Sequence, residues 1–334
     1  MTTDVPKKQS RWRTVIRAVF SLLLLVAVCL AYQQVNGQWA SVRLDFEKLG
    51  VGRLFVTFIL STVGFGLFPI ALHLLYRDLV TDERSGLVEL AAAYYVANFF
   101  RYLPGKLIAP AFLIQKAGLR KAPLLQALMT TVLQSILIGG MAFLTIVLAT
   151  TTSAMLDPLL FLFLIPLLVL IHPAVLSRLL TIALGLLGRR DEPLKMLSTK
   201  AWFTGFSVML TGWAMIGCGF ALLIVSFRSL SPIETTMCTL VYSASFGAGF
   251  AAVFAPAGVG VREGLLVWFL TVPVPVSDGP EKLAIAMSIA VVHRFVVTAS
   301  DVALLILGGV LLRAQKTTVQ SSRCDGPDTR TENR

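Results

Sequence analysis

Charged residues are scarce in this sequence. Asp, Glu, Lys and Arg make up 14% of its 334 residues, whereas hydrophobic types make up 56%. An average soluble domain has roughly 25% charged residues. The composition therefore excludes a soluble globular enzyme and leaves no stretch for a separate soluble catalytic domain. It predicts an all-α, polytopic integral membrane protein.

Cysteine and histidine are also rare, with four and three residues respectively. The cysteines (Cys29, Cys218, Cys238 and Cys324) show no C-x-x-C spacing, and three of them lie inside apolar runs. Neither a disulfide framework nor a zinc site is expected. The motifs H-E-x-x-H, G-x-S-x-G, G-x-G-x-x-G and Walker A are all missing from the sequence. We therefore predict no metal and no cofactor, and catalysis has little support in the residue types.

Positive charge exceeds negative charge, with 29 Lys and Arg against 18 Asp and Glu. Most of the excess lies between apolar runs and near the chain ends, where it indicates membrane topology rather than a nucleic-acid partner. The apolar runs predict six complete crossings, at about Val15–Tyr32, Leu54–Tyr76, Leu124–Leu148, Met155–Leu176, Ala201–Phe227 and Leu283–Leu312. The basic clusters then place both termini in the cytoplasm. The expected organisation is a basic segment at 1–14, a domain in the inner (cytoplasmic) membrane at 15–313 and a disordered tail at 314–334.

Two further apolar segments, 87–121 and 235–272, begin and end on the same side of the membrane in this arrangement. Pro104-Gly105 interrupts the first, and the run from Pro256 to Gly260 interrupts the second. Broken backbone at membrane depth must be buried in protein or line a wet cavity. We interpret the two segments as re-entrant hairpins that enter from opposite faces, a pattern typical of inverted-repeat transporters. Alternatively, each segment forms two short crossings.

The first candidate site lies at the break of the earlier hairpin, where Arg101 and Lys106 flank Pro104-Gly105. A charge at the bilayer centre costs at least about 2.5–3.5 kcal/mol, so it needs a compensating partner. One interpretation is an anion site in which both cations contact a lipid phosphate. The other is that both side chains extend to the cytoplasmic headgroups.

The second candidate site combines Gly258 and Gly260 with Arg262 and Glu263. The glycines allow backbone conformations closed to other residues and a close approach of a ligand. Arg262 can hold a phosphate bidentately, while Glu263 can neutralise a cation such as Lys106 or carry a proton. The alternative is a structural ion pair that closes the two hairpins against each other.

The third candidate site is the pair His293-Arg294 inside the last apolar run. A basic pair at that depth must face protein or water. It either takes part in ligand binding or proton coupling, or it belongs to an interior network with Asp301. Direct pairing of Arg294 with Asp301 would need a third group, because seven residues separate them.

The segments Arg101–Lys106 and Pro256–Glu263 together resemble the lysylphosphatidylglycerol synthase transmembrane-region family, also called flippase-like domain proteins. The resemblance covers about residues 15 to 313. It implies an inner-membrane protein that moves an aminoacylated, glycosylated or isoprenoid lipid between leaflets. Ala257 and Val259 stand where relatives are often richer in glycine, and no aminoacyl transferase domain follows, so aminoacylation is not implied.

Translocation of a phospholipid or polyprenyl-linked lipid is thus the function that the sequence favours. Two alternatives stay open: a membrane-embedded transferase acting on a lipid-linked sugar, with Glu263 as its only strong catalytic candidate, and a non-transporting partner of an envelope-biosynthesis complex. A lipid-modifying or glycosyl transferase is the expected protein partner, and a homo-oligomer is compatible with the sequence.

The predicted topology can be tested by cysteine labelling. In a cysteine-free background, a single cysteine replacing Lys195 should react with a membrane-impermeant thiol reagent only after the cells are permeabilised, because the basic cluster places it in the cytoplasm. Ser277→Cys in the predicted outside loop is the matched control and should react in intact cells. Labelling of the Lys195 position from outside would contradict the arrangement.

Overall fold

A computed structural model defines residues 48–79, 86–102, 174–175, 177–178, 181–182, 197–251, 258 and 260–324. These residues form helices and no strand. The helices are α1 (Val51–Leu79), α2 (Leu87–Phe99), α3 (Thr199–Ile224), α4 (Pro232–Ala251), α5 (Val261–Thr271) and α6 (Lys282–Cys324), with a 3-10 turn at Phe100–Tyr102 after α2. All six belong to Leu49–Arg334, the second of two units into which the chain divides.

Three of these helices are long and apolar enough to cross a membrane: Val51–Asp78, Thr199–Ile224 and Lys282–Gln315. They confirm apolar helices of spanning length where the sequence predicted crossings at Leu54–Tyr76, Ala201–Phe227 and Leu283–Leu312. The crossings predicted at Val15–Tyr32, Leu124–Leu148 and Met155–Leu176 lie outside the described residues, apart from positions 174–175.

The last helix is longer than its apolar run. Helix α6 continues past Leu312, where the sequence predicts the crossing to end, as far as Cys324. The first part of the segment expected to be disordered is therefore helical. Helical backbone satisfies its own hydrogen bonds, so a polar continuation of an existing helix needs no apolar face and no new nucleation.

Helices α1 and α3 form the most extensive helix pair. Every seventh residue of α3 along the α1 contact is glycine: Gly205, Gly212 and Gly219. A Cβ built on Gly212 would lie 2.7 Å from the carbonyl oxygen of Gly64, and one built on Gly205 would lie 2.7 Å from Cγ of Leu75. Small residues bring backbones close together, which is how helices pack where lipid removes the hydrophobic driving force between them.

Polar contacts at both ends fix the antiparallel register of α1 and α3. At one end, the Ser198 N–H and hydroxyl donate to the Asp78 carboxylate, at 2.6 and 3.0 Å, and the same hydroxyl accepts from the Ala201 N–H as the N-cap of α3. At the other end, Arg53 donates to the Ser226 hydroxyl at 3.1 Å. A slip of the pair along its axis would break both contacts.

A capping box begins α4. The Ser231 N–H donates to Glu234 at 2.8 Å, and the Glu234 N–H donates back to the Ser231 hydroxyl, with Pro232 as the first helical residue. Arg228 pairs with Glu234 and donates to the Pro275 carbonyl at 2.9 Å. Partial burial acts to raise the pKa of Glu234, but the hydrogen bonds from Ser231 and the Arg228 guanidinium outweigh it and hold that pKa below its ordinary value.

Exposed apolar side chains line the outer faces of the long helices. On α1 they include Phe55, Ile59 and Val63, and on α6 they include Phe295 and Ile306. Exposed apolar faces of this extent are typical of protein in contact with lipid. Composition, helix length and exposure thus agree on a helical membrane protein.

Replacing Gly212 with alanine should destabilise the protein by about 1–3 kcal/mol, because the new methyl group would overpack against the backbone oxygen of Gly64. The matched control is Gly309→Ala in α6, where nothing lies within 4 Å of the added Cβ. This control should be neutral, or stabilising by up to about 1 kcal/mol, through helix propensity. Denaturant titration in detergent micelles measures both free energies. Equal effects would contradict the close approach of α1 and α3.

Candidate functional site

The helix break expected at Pro256–Gly260 is described at Gly258 and Gly260, whereas Pro256, Ala257 and Val259 lie outside the described residues. Helix α4 ends at Ala251, and α5 begins at Val261. Gly258 and Gly260 both have positive φ, of 70° and 85°. A Cβ built on Gly258 would also lie 2.5 Å from the Gly249 Cα. Glycine is therefore needed at 258 for two reasons, its backbone conformation and the close return of the chain onto α4.

Glu263 organises the start of α5. Its carboxylate accepts a hydrogen bond from the Gly260 N–H at 2.7 Å, so it satisfies one of the N–H groups that every helix leaves open at its N-terminus. A carboxylate at this position is also stabilised by the helix dipole. The Gly260 and Glu263 motif in the sequence thus serves in part as a helix cap.

Arg262 points inward from the first turn of α5 and is only 4% exposed. Its guanidinium donates to the Tyr242 hydroxyl at 2.6 Å. It also lies over two aromatic rings of α4, 4.7 Å from the centroid of Phe246 and 5.5 Å from that of Tyr242. Gly249 makes room for its stem, since a Cβ there would lie 2.5 Å from Arg262 Cγ. One face of α4 therefore holds the Arg262 side chain.

A second buried network joins the end of α2 to the middle of α6. Arg101 forms an ion pair with Asp301 and donates to the Asn98 side chain at 3.3 Å. The Tyr102 hydroxyl donates to Asp301 at 2.5 Å and contacts the Thr298 hydroxyl at 3.4 Å. Asp301 is 2% exposed and is therefore a buried carboxylate with several donors.

Aromatic rings connect the two networks. The Phe246 ring lies 5.3 Å from the Arg101 guanidinium carbon and 4.7 Å from that of Arg262, so two cations share one ring. The Tyr102 ring lies 5.8 Å from the guanidinium carbon of Arg294, which in turn forms an ion pair with Glu263 at 3.4 Å. We call Arg101, Arg262 and Arg294, together with Asp301 and Glu263, the arginine cluster.

His293 borders the arginine cluster from α6 and is 1% exposed. Its ring makes edge contacts with Tyr242 of α4 and Phe220 of α3, with centroid distances of 4.6 and 5.1 Å. Among the residues that the structure describes, its Nε2 atom has no hydrogen-bond partner. A buried imidazole nitrogen in that state has capacity to bind a ligand or a proton.

The charges of the arginine cluster do not balance. Three guanidinium groups face two carboxylates, and both carboxylates are engaged, Asp301 with Arg101 and Glu263 with Arg294. Within the described ranges, no carboxylate forms an ion pair with Arg262. A buried cation without a counter-charge is unfavourable by about 3–5 kcal/mol. The geometry therefore suits an anion bound beside Arg262.

The structure brings most of the predicted site residues together. Four of them belong to the arginine cluster: Arg101, Arg262, Glu263 and Arg294. Three others lie next to it: Gly258, Gly260 and His293. Lys106 lies outside the described residues. Arg101 turns inward to Asp301 rather than away from the protein. The third group between Arg294 and Asp301 is Tyr102, whose ring contacts the first and whose hydroxyl binds the second. Pairing of Glu263 with Lys106 stays a prediction.

Sequence reasoning missed the aromatic residues of the site. Tyr242 and Phe246 follow each other at i and i+4 on α4, and Gly249 follows at i+7, so all three share one helix face. This spacing is the signal that could have identified them. On its own it would have indicated core packing, because aromatic residues at helical spacing are common in any buried helix.

No family model matches the chain, no curated protein is similar to it, and no solved structure matches it. Membership of the flippase-like family therefore stays a prediction from the motifs. The described parts of the chain also contain no group of three or more His, Cys, Asp or Glu residues placed to hold a metal ion.

Replacing Asp301 with asparagine should destabilise the protein by about 3–5 kcal/mol, because it leaves the Arg101 guanidinium buried without its carboxylate. The double variant Arg101→Met with Asp301→Asn should lose less than the sum of the two single variants. Asp278→Asn, at an exposed carboxylate, is the matched control and should stay within about 0.5 kcal/mol. Additive single effects would show that the two side chains do not interact.

Proposed function

We propose that the protein moves a lipid with a phosphate-bearing headgroup between the leaflets of the cytoplasmic membrane. The observation that carries this proposal is the buried Arg262 guanidinium, which contacts a neutral hydroxyl and two aromatic rings but forms no ion pair with a carboxylate of the described residues. A planar guanidinium matches two phosphate oxygens at once. A phosphate is therefore the anion that best completes the arginine cluster.

The membrane setting explains why the phosphate would belong to a lipid. A free charged headgroup crossing hydrocarbon would lose its hydration without replacement. A polar cluster between apolar helices supplies the missing contacts, while the acyl or prenyl chains stay against the exposed apolar faces of α1 and α6. The polar cluster and the exposed apolar faces therefore support a role in lipid translocation.

The finer parts of the proposal come from the sequence. Six crossings, two oppositely entering re-entrant hairpins and an inverted repeat would place the arginine cluster near the membrane midplane. The helix break between α4 and α5 and its positive-φ glycines support the second hairpin. The resemblance to flippase-like domain proteins extends the proposal to aminoacylated, glycosylated or isoprenoid lipids.

The transferase alternative receives less support from the site. It needs a carboxylate free to act on substrate, and Glu263 was its strongest candidate. The Glu263 carboxylate instead caps α5 through the Gly260 N–H and pairs with Arg294. These contacts favour a positioning role, in which Glu263 holds the start of α5 and so aims Arg262 into the cluster.

Arg262→Ala should reduce lipid translocation at least about tenfold, because a charged hydrogen bond contributes about 1.5–3 kcal/mol and 1.4 kcal/mol corresponds to tenfold. Arg262→Lys should retain part of the activity, since Lys offers a point charge without the planar fork. The measurement is the rate at which a fluorescent phospholipid becomes accessible to an impermeant quencher in reconstituted vesicles.

The matched control is Lys200→Ala, which removes an exposed cation at the start of α3. Its translocation rate should equal that of the unaltered protein. Unchanged translocation by a folded Arg262→Ala variant would remove the phosphate role of Arg262. The same slow rate for protein-containing and protein-free vesicles, with each lipid class tried, would overturn the proposed function.

A further inference from the structure

His293 is enclosed by groups from three other helices, and they leave it without an anion. Helix α3 presents the apolar Phe220, and α4 presents the Tyr242 ring. Arg262 of α5 donates to the hydroxyl of the same tyrosine, and Arg294 is the next residue of α6. The groups named around His293 are thus two guanidinium groups, of which Arg294 is paired with Glu263, and one phenol.

Tyr242 contacts both His293 and Arg262, the residue proposed to bind the phosphate. The Tyr242 ring contacts the imidazole of His293, with 4.6 Å between the ring centroids. The Tyr242 hydroxyl accepts a hydrogen bond from Arg262 at 2.6 Å. An anion that binds the Arg262 guanidinium therefore enters next to the imidazole as well. It would supply both an acceptor for the unpartnered Nε2 atom and the negative charge that the surroundings lack.

A proton and a phosphate should consequently stabilise each other in this site. A proton placed on His293 alone adds a further cation beside Arg262 and Arg294, and that repulsion is strong in a buried environment. Once a phosphate is present, the same proton completes a charge-assisted hydrogen bond. Thermodynamic linkage then requires that each of the two binds more tightly when the other is bound.

We infer that binding of a lipid phosphate at the arginine cluster is coupled to the uptake of one proton by His293. The inference rests on the proposed function, and it names the proton as the co-substrate of the translocated lipid. The proton comes from solvent and forms an N–H bond at the free ring nitrogen of His293, which becomes an imidazolium cation; no bond of the lipid changes.

The test is isothermal titration of the full-length protein in detergent with short-chain phosphatidylglycerol, in pairs of buffers that differ in ionisation enthalpy. This lipid is a phosphodiester and does not titrate near neutral pH, so any proton taken up is bound by the protein. Uptake should approach one proton per lipid at any pH at which the imidazole is neutral in the free protein and protonated in the complex, and the titrations therefore cover about pH 5 to pH 8. The apparent Kd should rise with pH, by up to about tenfold per pH unit.

The His293→Gln variant should bind the lipid with no proton uptake and with a Kd that does not depend on pH. His73→Gln, which removes a partly exposed histidine of α1, is the matched control and should keep the full uptake. Undiminished uptake in a folded His293→Gln variant would overturn the role of His293. The unaltered protein alone distinguishes the two proposals. If it binds the lipid without proton uptake, the coupling is overturned and the proposed function is not.

Inorganic phosphate serves as a second probe, used as a competitor. If inorganic phosphate displaces the lipid at equal concentration, the ligand is free phosphate. That result would overturn both the lipid part of the proposed function and the coupling of lipid binding to proton uptake. If neither probe nor a polyprenyl phosphate binds, both proposals are overturned.

Discussion

The arginine cluster contains three guanidinium groups but only two carboxylates. The described structure depends on how this excess positive charge is accommodated inside the protein. Arg262 and Asp301 are almost completely buried, and Arg101, Arg294 and Glu263 are only partly exposed, so protein or ligand must supply most of the contacts that water supplies elsewhere. Asp301 and Glu263 compensate two of the arginines, and Phe246, Tyr242 and Tyr102 offer their ring faces to all three. Cation–π contacts of this kind contribute about 2 kcal/mol or more when desolvated. They lower the cost of the excess charge without neutralising it.

The aromatic rings are themselves held by the long helices. Trp213 of α3 packs against Phe246 and Tyr242 of α4, with centroid distances of 5.1 and 6.2 Å, and Phe65 of α1 also reaches Phe246. The glycines of α3 bring α1 close enough for these contacts. The close packing of α1 and α3 therefore sets the positions of these rings. A change in the spacing of the two helices would move the ring surfaces that Arg101 and Arg262 contact.

Much of the helical framework follows from the sequence. Apolar runs near Leu54, Ala201 and Leu283 predict helices that the structure has, because bilayer thickness fixes the length of such runs. The break near Gly258 was also predictable, since alternating glycines after Pro256 cannot continue a helix favourably. Helix α6 exceeds its predicted end because hydropathy reports where a helix leaves lipid and not where the helix itself stops.

The pairing of the charges could not be predicted in the same way. Arg101 and Asp301 are two hundred residues apart, and only the packing of α2 against α6 makes them neighbours. Sequence spacing suggested that Asp301 shares a network with Arg294, which is correct only through the Tyr102 ring and hydroxyl. Tyr242 carried no signal of its own, because a single tyrosine in an apolar helix is more often a packing residue than a partner of a buried cation.

The central claim is that the excess charge at Arg262 is completed by the phosphate of a lipid. Mass spectrometry of the lipids that copurify with the protein, compared between the unaltered chain and Arg262→Ala, tests it most directly. We expect a phosphate-bearing lipid at about one molecule per chain in the unaltered protein and its loss from the variant, while bulk annular lipids are the same in both. Identical lipid profiles in two folded proteins would contradict the claim.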